Sequence, residues 1–559
     1  MWRVIVLAVM FAGVPAGAQP GPPPNVILIM TDDQGYGDMS CHGNPVLKTP
    51  NIDRLYAQSI RLTQFHVDPT CSPTRAALMT GRYSSRTGVW HTIMGRSLLR
   101  RDETTMADLF AASGYATGIW GKWHLGDNYP FRPQDRGFQQ SLVHGGGGIT
   151  QTPDYWGNTY FSPTLLKDGR WMKSEGYCTD VFFNAALNFI QENRSRPFFA
   201  YISTNVPHAP YQVAEDYSRP FLEKGLAQKA ANFYGMIRNF DENLGRLLAK
   251  LKDWDLHENT ILIFMTDNGS ALGHFGAAMR GKKGSEYDGG HRVPCFIRWP
   301  ARLKGGRDVD HLTAHIDLLP TLIQLCGLER PPDLHLDGTS LAPLLSGIAQ
   351  WPQRRLFVQS HRIEHPQPWR KSAVLTERWR LVNGRELYDI LADPQQENNL
   401  AALYPQTVER LREAYQGWYA EVSRRFDEYC RIVLGSIEEN PSLLTCMDWH
   451  GEIVPWNQQM ILQAPVANGF WAVEISRAGT YEFTLRERPA EADFPLDASR
   501  ARLKIGQLDL SQPVATGASS VRFTMKLEAG KTRLQTWLTG KEGASRGAYF
   551  VYATLIDSN

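Results

Sequence analysis

Beyond residue 20 the chain has no apolar run long enough to cross a bilayer, which takes ~20 residues as a helix. It lacks net charge as well: 59 Lys and Arg face 57 Asp and Glu, for a formal +2. That balance argues against bulk attraction to nucleic acid or to an anionic membrane surface, so any anion preference must come from a local site. Cysteine is sparse, with 7 in 559 residues, which excludes a disulfide-stapled scaffold. Repeats and low-complexity tracts are missing too. What remains is an ordinary globular composition at a length that calls for two or more domains.

The first 18 residues read as a secretory leader. Arg3 starts it, Val4 to Val14 is apolar, and Ala16-Gly17-Ala18 offers a small-residue cleavage site. The apolar run is too short for a membrane anchor, and no cysteine follows for lipidation. The expected product is exported, periplasmic or secreted, without a membrane span. Six cysteines besides Cys71 allow many pairings. Cys430 with Cys446 is the expected local pair, and Cys295 and Cys326, in apolar runs, are expected as free buried thiols.

Asn25 to Met30 is a short continuous apolar run, the pattern of a strand buried on both faces. It ends in Thr31-Asp32-Asp33-Gln34-Gly35. Thr260 to Met265 repeats the pattern and ends in Thr266-Asp267-Asn268-Gly269. Carboxylates and an amide oxygen are hard donors, suited to Ca²⁺ or Mg²⁺. Gly114 to Trp120 leads into Gly121-Lys122-Trp123-His124-Leu125-Gly126, and Pro197 to Ser203 leads towards Pro207-His208-Ala209-Pro210. Helical spacing over 51–59, 179–193 and 229–252 alternates with these strands, which predicts a doubly wound α/β domain. From residue 355 short alternating runs predict a small antiparallel sheet, followed by an amphipathic helix over 405–429. After 446 the runs alternate with period two between glycine turns, as in a β-sandwich.

Cys71-Ser72-Pro73-Thr74-Arg75, continued to Thr80-Gly81-Arg82, is the stretch around which these elements gather. By itself a cysteine there could simply be buried. Lys122 and Lys283 alone would read as surface lysines, and His124 and His208 as structural histidines. Downstream come Arg280-Gly281-Lys282-Lys283-Gly284, Gly289-Gly290-His291-Arg292-Val293-Pro294, His315-Ile316-Asp317-Leu318 and Glu386-Leu387-Tyr388-Asp389. Together and in this order, the motifs over about 25–400 resemble the type I, formylglycine-dependent sulfatases of the alkaline-phosphatase superfamily.

The resemblance implies an alkaline-phosphatase-like α/β fold with a mainly parallel central sheet, a small antiparallel C-terminal subdomain and here an additional β-rich module. The expected division is a leader at 1–18, a catalytic domain at 25–345, a subdomain at 346–430 and an accessory module at 446–559. It implies that a maturation enzyme oxidises Cys71 to formylglycine, and that Asp32, Asp33, Asp267, Asn268 and residue 71 hold a divalent cation, Ca²⁺ by family precedent or else Mg²⁺. A hydroxyl of the hydrated aldehyde would attack sulfur. Arg75 would steady that diol and the metal ligands, and Lys122 would bridge diol and sulfate. His124 would be the base for sulfate release. His208 and Lys283 would hold the sulfate, one of them acting as general acid. The spacing R-G-x-K selects Lys283 over Lys282. Asp288 stands where the family usually has Glu.

The activity implied is hydrolysis of an organic sulfate ester, on a sulfated saccharide and on aryl sulfates. Candidate substrate contacts are His42, Trp90, His91, Trp123, His144, Trp156, His274, His361 and Arg362, with Gly145 to Gly148 as a close-approach loop. Two other readings stand beside it: a phosphate or phosphonate ester hydrolase of the superfamily, and a non-catalytic glycan- or anion-binding protein whose Cys71 stays unmodified.

Overall fold

A computed structural model describes residues 22–348 and 351–558; the expected leader lies outside them. The strand Asn25–Thr31 sits at the middle of a ten-stranded sheet, paired in parallel with Thr260–Thr266 and Phe198–Ser203. Its residues alternate between two cores. Val26, Leu28 and Met30 enter one and Ile27 and Ile29 the other, which is why this strand needs apolar residues at every position. Ala116–Gly121 and then Gln140–Val143 continue the parallel order. Helices Cys178–Glu192 and Gln228–Asp253 cover one face, with Pro50–Gln58 beside them. Cys71–Thr80, Met106–Ala112 and Leu318–Cys326 cover the other.

The sheet is mainly parallel but not purely so. Cys295–Arg298 runs antiparallel between Thr260–Thr266 and Ile60–His66, and the far edge is an antiparallel hairpin, Thr164–Lys167 with Arg170–Lys173. Ile60–His66 and Arg307–Ala314, which close the other edge in parallel, escape the sequence pattern. Arg61, Thr63 and Gln64 interrupt the apolar run, as suits a strand nearer the edge.

Leu356–Gln359, Ser372–Leu375, Trp379–Val382 and Glu386–Asp389 form the expected antiparallel sheet. The helix Pro405–Val422 packs on it through Val408, Leu411, Tyr415 and Trp418. It stops short of 429, tightening into a 3-10 turn at Ser423–Arg425.

The C-terminal residues form two stacked sheets. One holds Ile432–Leu434, Phe470–Ile475, Gly530–Thr539, Arg500–Ile505 and Leu508–Pro513; the other holds Ser442–Thr445, Phe550–Ser558, Gly479–Arg486 and Val521–Leu527. Trp471, Val473, Leu503 and Leu534 of the first meet Leu444, Tyr481, Phe483 and Val551 of the second in one core. The sandwich thus takes in strands ahead of residue 446. Its core also receives Leu98 and Phe131, with Ile93, Met94 and Trp156 packed against it, so it grips the loops of the larger domain.

All seven cysteines are free. The expected Cys430–Cys446 pair does not form. Cys430 Sγ faces the Leu98 carbonyl at 3.1 Å and Cys446 Sγ the Pro455 carbonyl at 3.1 Å, each thiol held by a different loop. Cys295 is a free buried thiol as expected; Cys326 is free but only partly buried. Among the described residues no helix is long and apolar enough to cross a membrane.

Candidate active site

Parallel strands present their carboxyl ends together, where ligands bind in open α/β sheets. Asn25–Thr31 delivers Asp32 and Asp33 there, and its neighbour Thr260–Thr266 delivers Asp267 and Asn268. All four side chains are buried. The backbone N–H of Asp33 donates to Asp267 Oδ1 at 3.0 Å, and Asn268 Nδ2 donates to Asp33 Oδ1 at 3.0 Å. Asp33 takes a left-handed backbone, φ 69°, which turns the chain immediately after the strand.

Cys71 opens the helix Cys71–Thr80, every residue of which is buried. A helix N-terminus carries partial positive charge and favours an anion. Arg75, one turn on, aims its guanidinium back at the strand ends. It donates to Asp267 Oδ2 at 2.9 Å, to Ser203 Oγ at 2.6 Å and to the Lys122 carbonyl at 3.0 Å. Lys122 follows Gly121, whose φ is 118° and where a Cβ would lie 1.9 Å from the Ser203 carbonyl oxygen, so only glycine fits. That turn brings Lys122 Nζ to Asp32 Oδ2 at 2.7 Å.

Lys283 Nζ meets Asp33 Oδ1 at 2.5 Å, and His208 Nε2 lies 3.8 Å from Asp33 Oδ2. Burial opposes the Lys283 charge, but Asp33 prevails and raises its pKa. Burial likewise opposes ionisation of Asp33, yet Lys283, His208 and Lys122 hold its carboxyl well below the usual range. His208 is lowered to about 3, first by burial and then by Lys122 and Lys283, against Asp33. His124 is driven well below the usual range by burial and by Lys122 and Arg75. Its Nε2 meets the Thr92 carbonyl at 3.0 Å. A carbonyl only accepts, so the hydrogen is on Nε2 and the lone pair on Nδ1. Nδ1 is buried and has no partner.

Asp32 Oδ1 and Asn268 Oδ1 are also buried without a hydrogen-bond partner. Burial and Asp32 push the Asp267 carboxyl up to about 6, against Arg75. One ligand atom each from Asp32, Cys71 and Asp267 falls within 4.8 Å of the others. Buried oxygens without donors, and carboxylates repelling one another, are the condition a hard cation relieves. The donor set fits such an ion.

A second buried cluster, His66, Asp288 and His291, meets the same distance test. Arg380 already occupies it, with Nε 3.0 Å from Asp288 Oδ1.

The comparisons agree with this geometry. The sulfatase family profile matches residues 24–328, and that of the N-sulphoglucosamine sulphohydrolase C-terminal region matches 282–416. The first alone spans more than half the chain. The chain belongs to the sulfatase family. N-acetylgalactosamine-6-sulfatase of Canis lupus familiaris is 35% identical over 393 residues, 64% of this chain and 72% of that one. Arylsulfatase A of Homo sapiens is 33% identical over 385 residues, 61% and 71% of the two chains. The crystal structure of Ps i-CgsB in complex with k-i-k-neocarrahexaose superposes with a TM-score of 0.67 at 27% identity, covering 73% of this chain and 95% of that one.

In this sulfatase Asp32, Asp33, Cys71, Arg75, Lys122, His208, Asp267, Asn268 and Lys283 are linked by the contacts above, and His124 joins them through the charges of Lys122, Arg75 and His208. Most candidate substrate contacts are employed elsewhere. Trp123 is buried with its indole donating to the Phe131 carbonyl, and Trp90 donates to the Ile363 carbonyl. Trp156 packs edge-on against Phe550 of the sandwich. His42 stacks on Tyr36, His274 meets the edge of Tyr234, and His361 bonds Gln359. His91 accepts the Thr92 N–H, and among the described residues no side-chain partner orients Arg362 towards the site. His144, lowered to about 3 by burial and by Lys122, Arg75 and His208 among its neighbours, belongs to the site's surroundings. Sequence reasoning missed Ser203, at a strand end like the ligands, and Thr92, whose contribution is a backbone carbonyl and so leaves no side-chain signal. Tyr160, whose hydroxyl donates to the His208 carbonyl at 2.6 Å, was missed too.

Proposed function

We propose that this sulfatase is exported and releases inorganic sulfate from a sulfated saccharide, with aryl sulfates as further substrates, using a formylglycine made from Cys71 and a bound Ca²⁺. The observation that carries the reading is the pair of partnerless buried oxygens, Asp32 Oδ1 and Asn268 Oδ1, beside the cysteine that opens a helix. The relatives' names, N-acetylgalactosamine-6-sulfatase and arylsulfatase A, and the neocarrahexaose complex favour saccharide and aryl esters.

Asp32, Asp33, Asp267 and Asn268 would hold the cation. When present, the cation and the hydrated aldehyde supply a polarised hydroxyl nucleophile. The chain's own residues then have separable tasks. Arg75, fixed by Asp267 and Ser203, keeps residue 71 and the ligand strand in register. Lys122 and Lys283, cations at the strand ends, bind sulfate oxygens, and His208 adds a third contact. One of Lys283 and His208 gives a proton to the leaving oxygen. His124 accepts a proton at its free Nδ1 during sulfate release.

Mass spectrometry of the Cys71 peptide, from a host with a maturation enzyme, tests this. A substantial aldehyde fraction is expected, and thiol alone would overturn it. Cys71→Ala should lower aryl sulfate turnover by ~10⁴-fold or more with the fold retained. A panel of defined sulfated saccharides then tests the substrate class.

A further inference from the structure

Gly147 and Gly148 stand between the two site histidines. A Cβ on Gly147 would lie 2.2 Å from His124 Cε1 and 2.6 Å from Nδ1, and one on Gly148 would lie 3.1 Å from His208 Nδ1. The glycines therefore space both imidazoles. Their loop is held through its backbone: Asp154 Oδ1 accepts the Gly145 N–H at 3.3 Å and Asp127 Oδ1 the Gly146 N–H at 2.9 Å. Gln151 Oε1 accepts the Gly147 N–H at 2.8 Å. Gln151 is in turn held by the C-terminal sandwich. Gln458, buried, offers its amide hydrogens to the carbonyls of Gln151, Asp154 and Tyr155 at 3.3, 3.2 and 3.1 Å. Its Oε1 accepts the Gly157 N–H at 2.9 Å, and its backbone N–H donates to the Thr150 carbonyl at 3.0 Å.

The other side of the His124 ring is held from the same segment. The Thr92 carbonyl that fixes the tautomer belongs to a loop in which the Met94 N–H donates to the Met447 carbonyl at 2.9 Å. Gly95 packs on the His450 ring, and His450 Nδ1 meets Glu364 Oε1 at 2.9 Å, the same oxygen that Arg96 Nη2 reaches at 3.0 Å.

We propose that Gln458 is a positioning residue of this sulfatase: the sandwich, through Gln458 and the Met447–His450 turn, clamps the two loops that set the tautomer and placement of His124. The inference rests on the reading of His124 as proton acceptor in sulfate release. It makes the sandwich part of the active site without touching substrate. Small displacements of such a group cost up to ~10²-fold in rate, and outer hydrogen-bond partners govern which imidazole nitrogen is free.

The test uses the full chain carrying Gln458→Glu, which keeps size and acceptor but loses both amide hydrogens. In ¹⁵N-histidine-labelled protein with Cys71 unmodified, His124 of the parent should show one Nε2–H tautomer; in Gln458→Glu it should show mixed or exchange-broadened signals. In matured enzyme kcat should fall ~10-fold, with kcat/KM for an aryl sulfate within about twofold and a burst of alcohol release, because only the later half of turnover is slowed. A parent-like tautomer in Gln458→Glu overturns the proposal, as does an equal fall in both constants. Should Gln458→Glu fail to fold, Gln458→Met, which removes the same amide hydrogens without placing a carboxyl among the carbonyls, must give the same signatures; parent-like behaviour there overturns it equally. His124→Ala separates the two readings. An equal fall without a burst removes His124 as proton acceptor, whereas the tautomer change in Gln458→Glu reports the clamp independently.

Discussion

Asp32 with Cys71 and Asp267, and His66 with Asp288 and His291, are both buried groups with ligand-type atoms in mutual reach. They differ in how far nearby cations offset the carboxylates. In the second, Arg380 Nε lies 3.0 Å from Asp288 Oδ1, and its Nη2 reaches His66 Nε2 at 3.4 Å. His66 Nδ1 then meets His291 Nδ1 at 2.9 Å, and His291 Nε2 meets the Glu286 carbonyl at 3.2 Å. Since Arg380 and the carbonyl fix the ends, each ring donates onward to the next acceptor. Burial would raise Asp288, but Arg380, His66 and His291 hold it well below the usual range. At the strand ends several carboxylates crowd together: Asp33 is likewise held low by Lys283, but Asp267 is pushed up to about 6, and Asp32 Oδ1 and Asn268 Oδ1 lack partners where the second cluster leaves Asp288 Oδ2 without one. A single carboxylate matched by one guanidinium is finished structure; carboxylates that still repel one another with Arg75, Lys122 and Lys283 in place make a site.

Breaking the site half of this contrast has the largest effect. Asp267→Ala is expected to cut turnover by ~10³-fold or more, because it removes a ligand and the Arg75 partner together. Ca²⁺ should raise the melting temperature of the parent and leave that of the variant unmoved, by the linkage between binding and stability. Steady-state rates and melting curves with and without chelator check both. Chelator-insensitive turnover would count against the cation.

Breaking the other half should cost stability rather than chemistry. Arg380→Met leaves Asp288 buried and uncompensated, a loss of about 3–5 kcal/mol in urea unfolding, with divalent cations adding no recovery. Adding Asp288→Asn should restore part of it; no restoration would mean the guanidinium does more than neutralise that carboxylate.

A third arrangement sharpens the contrast more gently. Asp448 is pushed up to about 8 by burial and by Asp127, and Asp154 to about 7 by burial. Among the described residues neither has a cation partner, and the N–H groups of Gly145, Thr150 and Asn158 that donate to Asp154 only partly offset its burial, so both values stay raised. The folded state then binds protons that the unfolded chain releases above pH ~4. Stability from these groups is complete at low pH and is lost as pH rises to about 7 for Asp154 and about 8 for Asp448. Denaturant titrations across that range should show the decline, and Asp448→Asn should flatten its upper part.

Much of the α/β domain was legible because both faces of its sheet are covered. Asn25–Thr31 and Thr260–Thr266 must be apolar throughout, and the polar residues that end them stand out. Half-covered or edge strands carry no such mark, which is why Ile60–His66 and Arg307–Ala314 went unread. In the sandwich, period-two alternation revealed Gly479–Arg486 but not Leu508–Pro513, whose side chains are nearly all exposed. The expected Cys430–Cys446 pair failed for a related reason: nearness in sequence says nothing about which loop each thiol faces.

The sequence alone determined the chemical inventory of the site. Its cysteine, four oxygen donors, arginine, lysines and histidines sit in short motifs because strand ends and one helix turn deliver them locally. Only the tertiary structure decided in which of two buried clusters carboxylates still repel one another, and which nitrogen of His124 is free. It also decided that residues 447–458, outside both matched family regions, hold the loops around that ring. Those outcomes depend on backbone carbonyls, N–H groups and the space between glycines, all of which are common to every sequence and acquire a role only through placement.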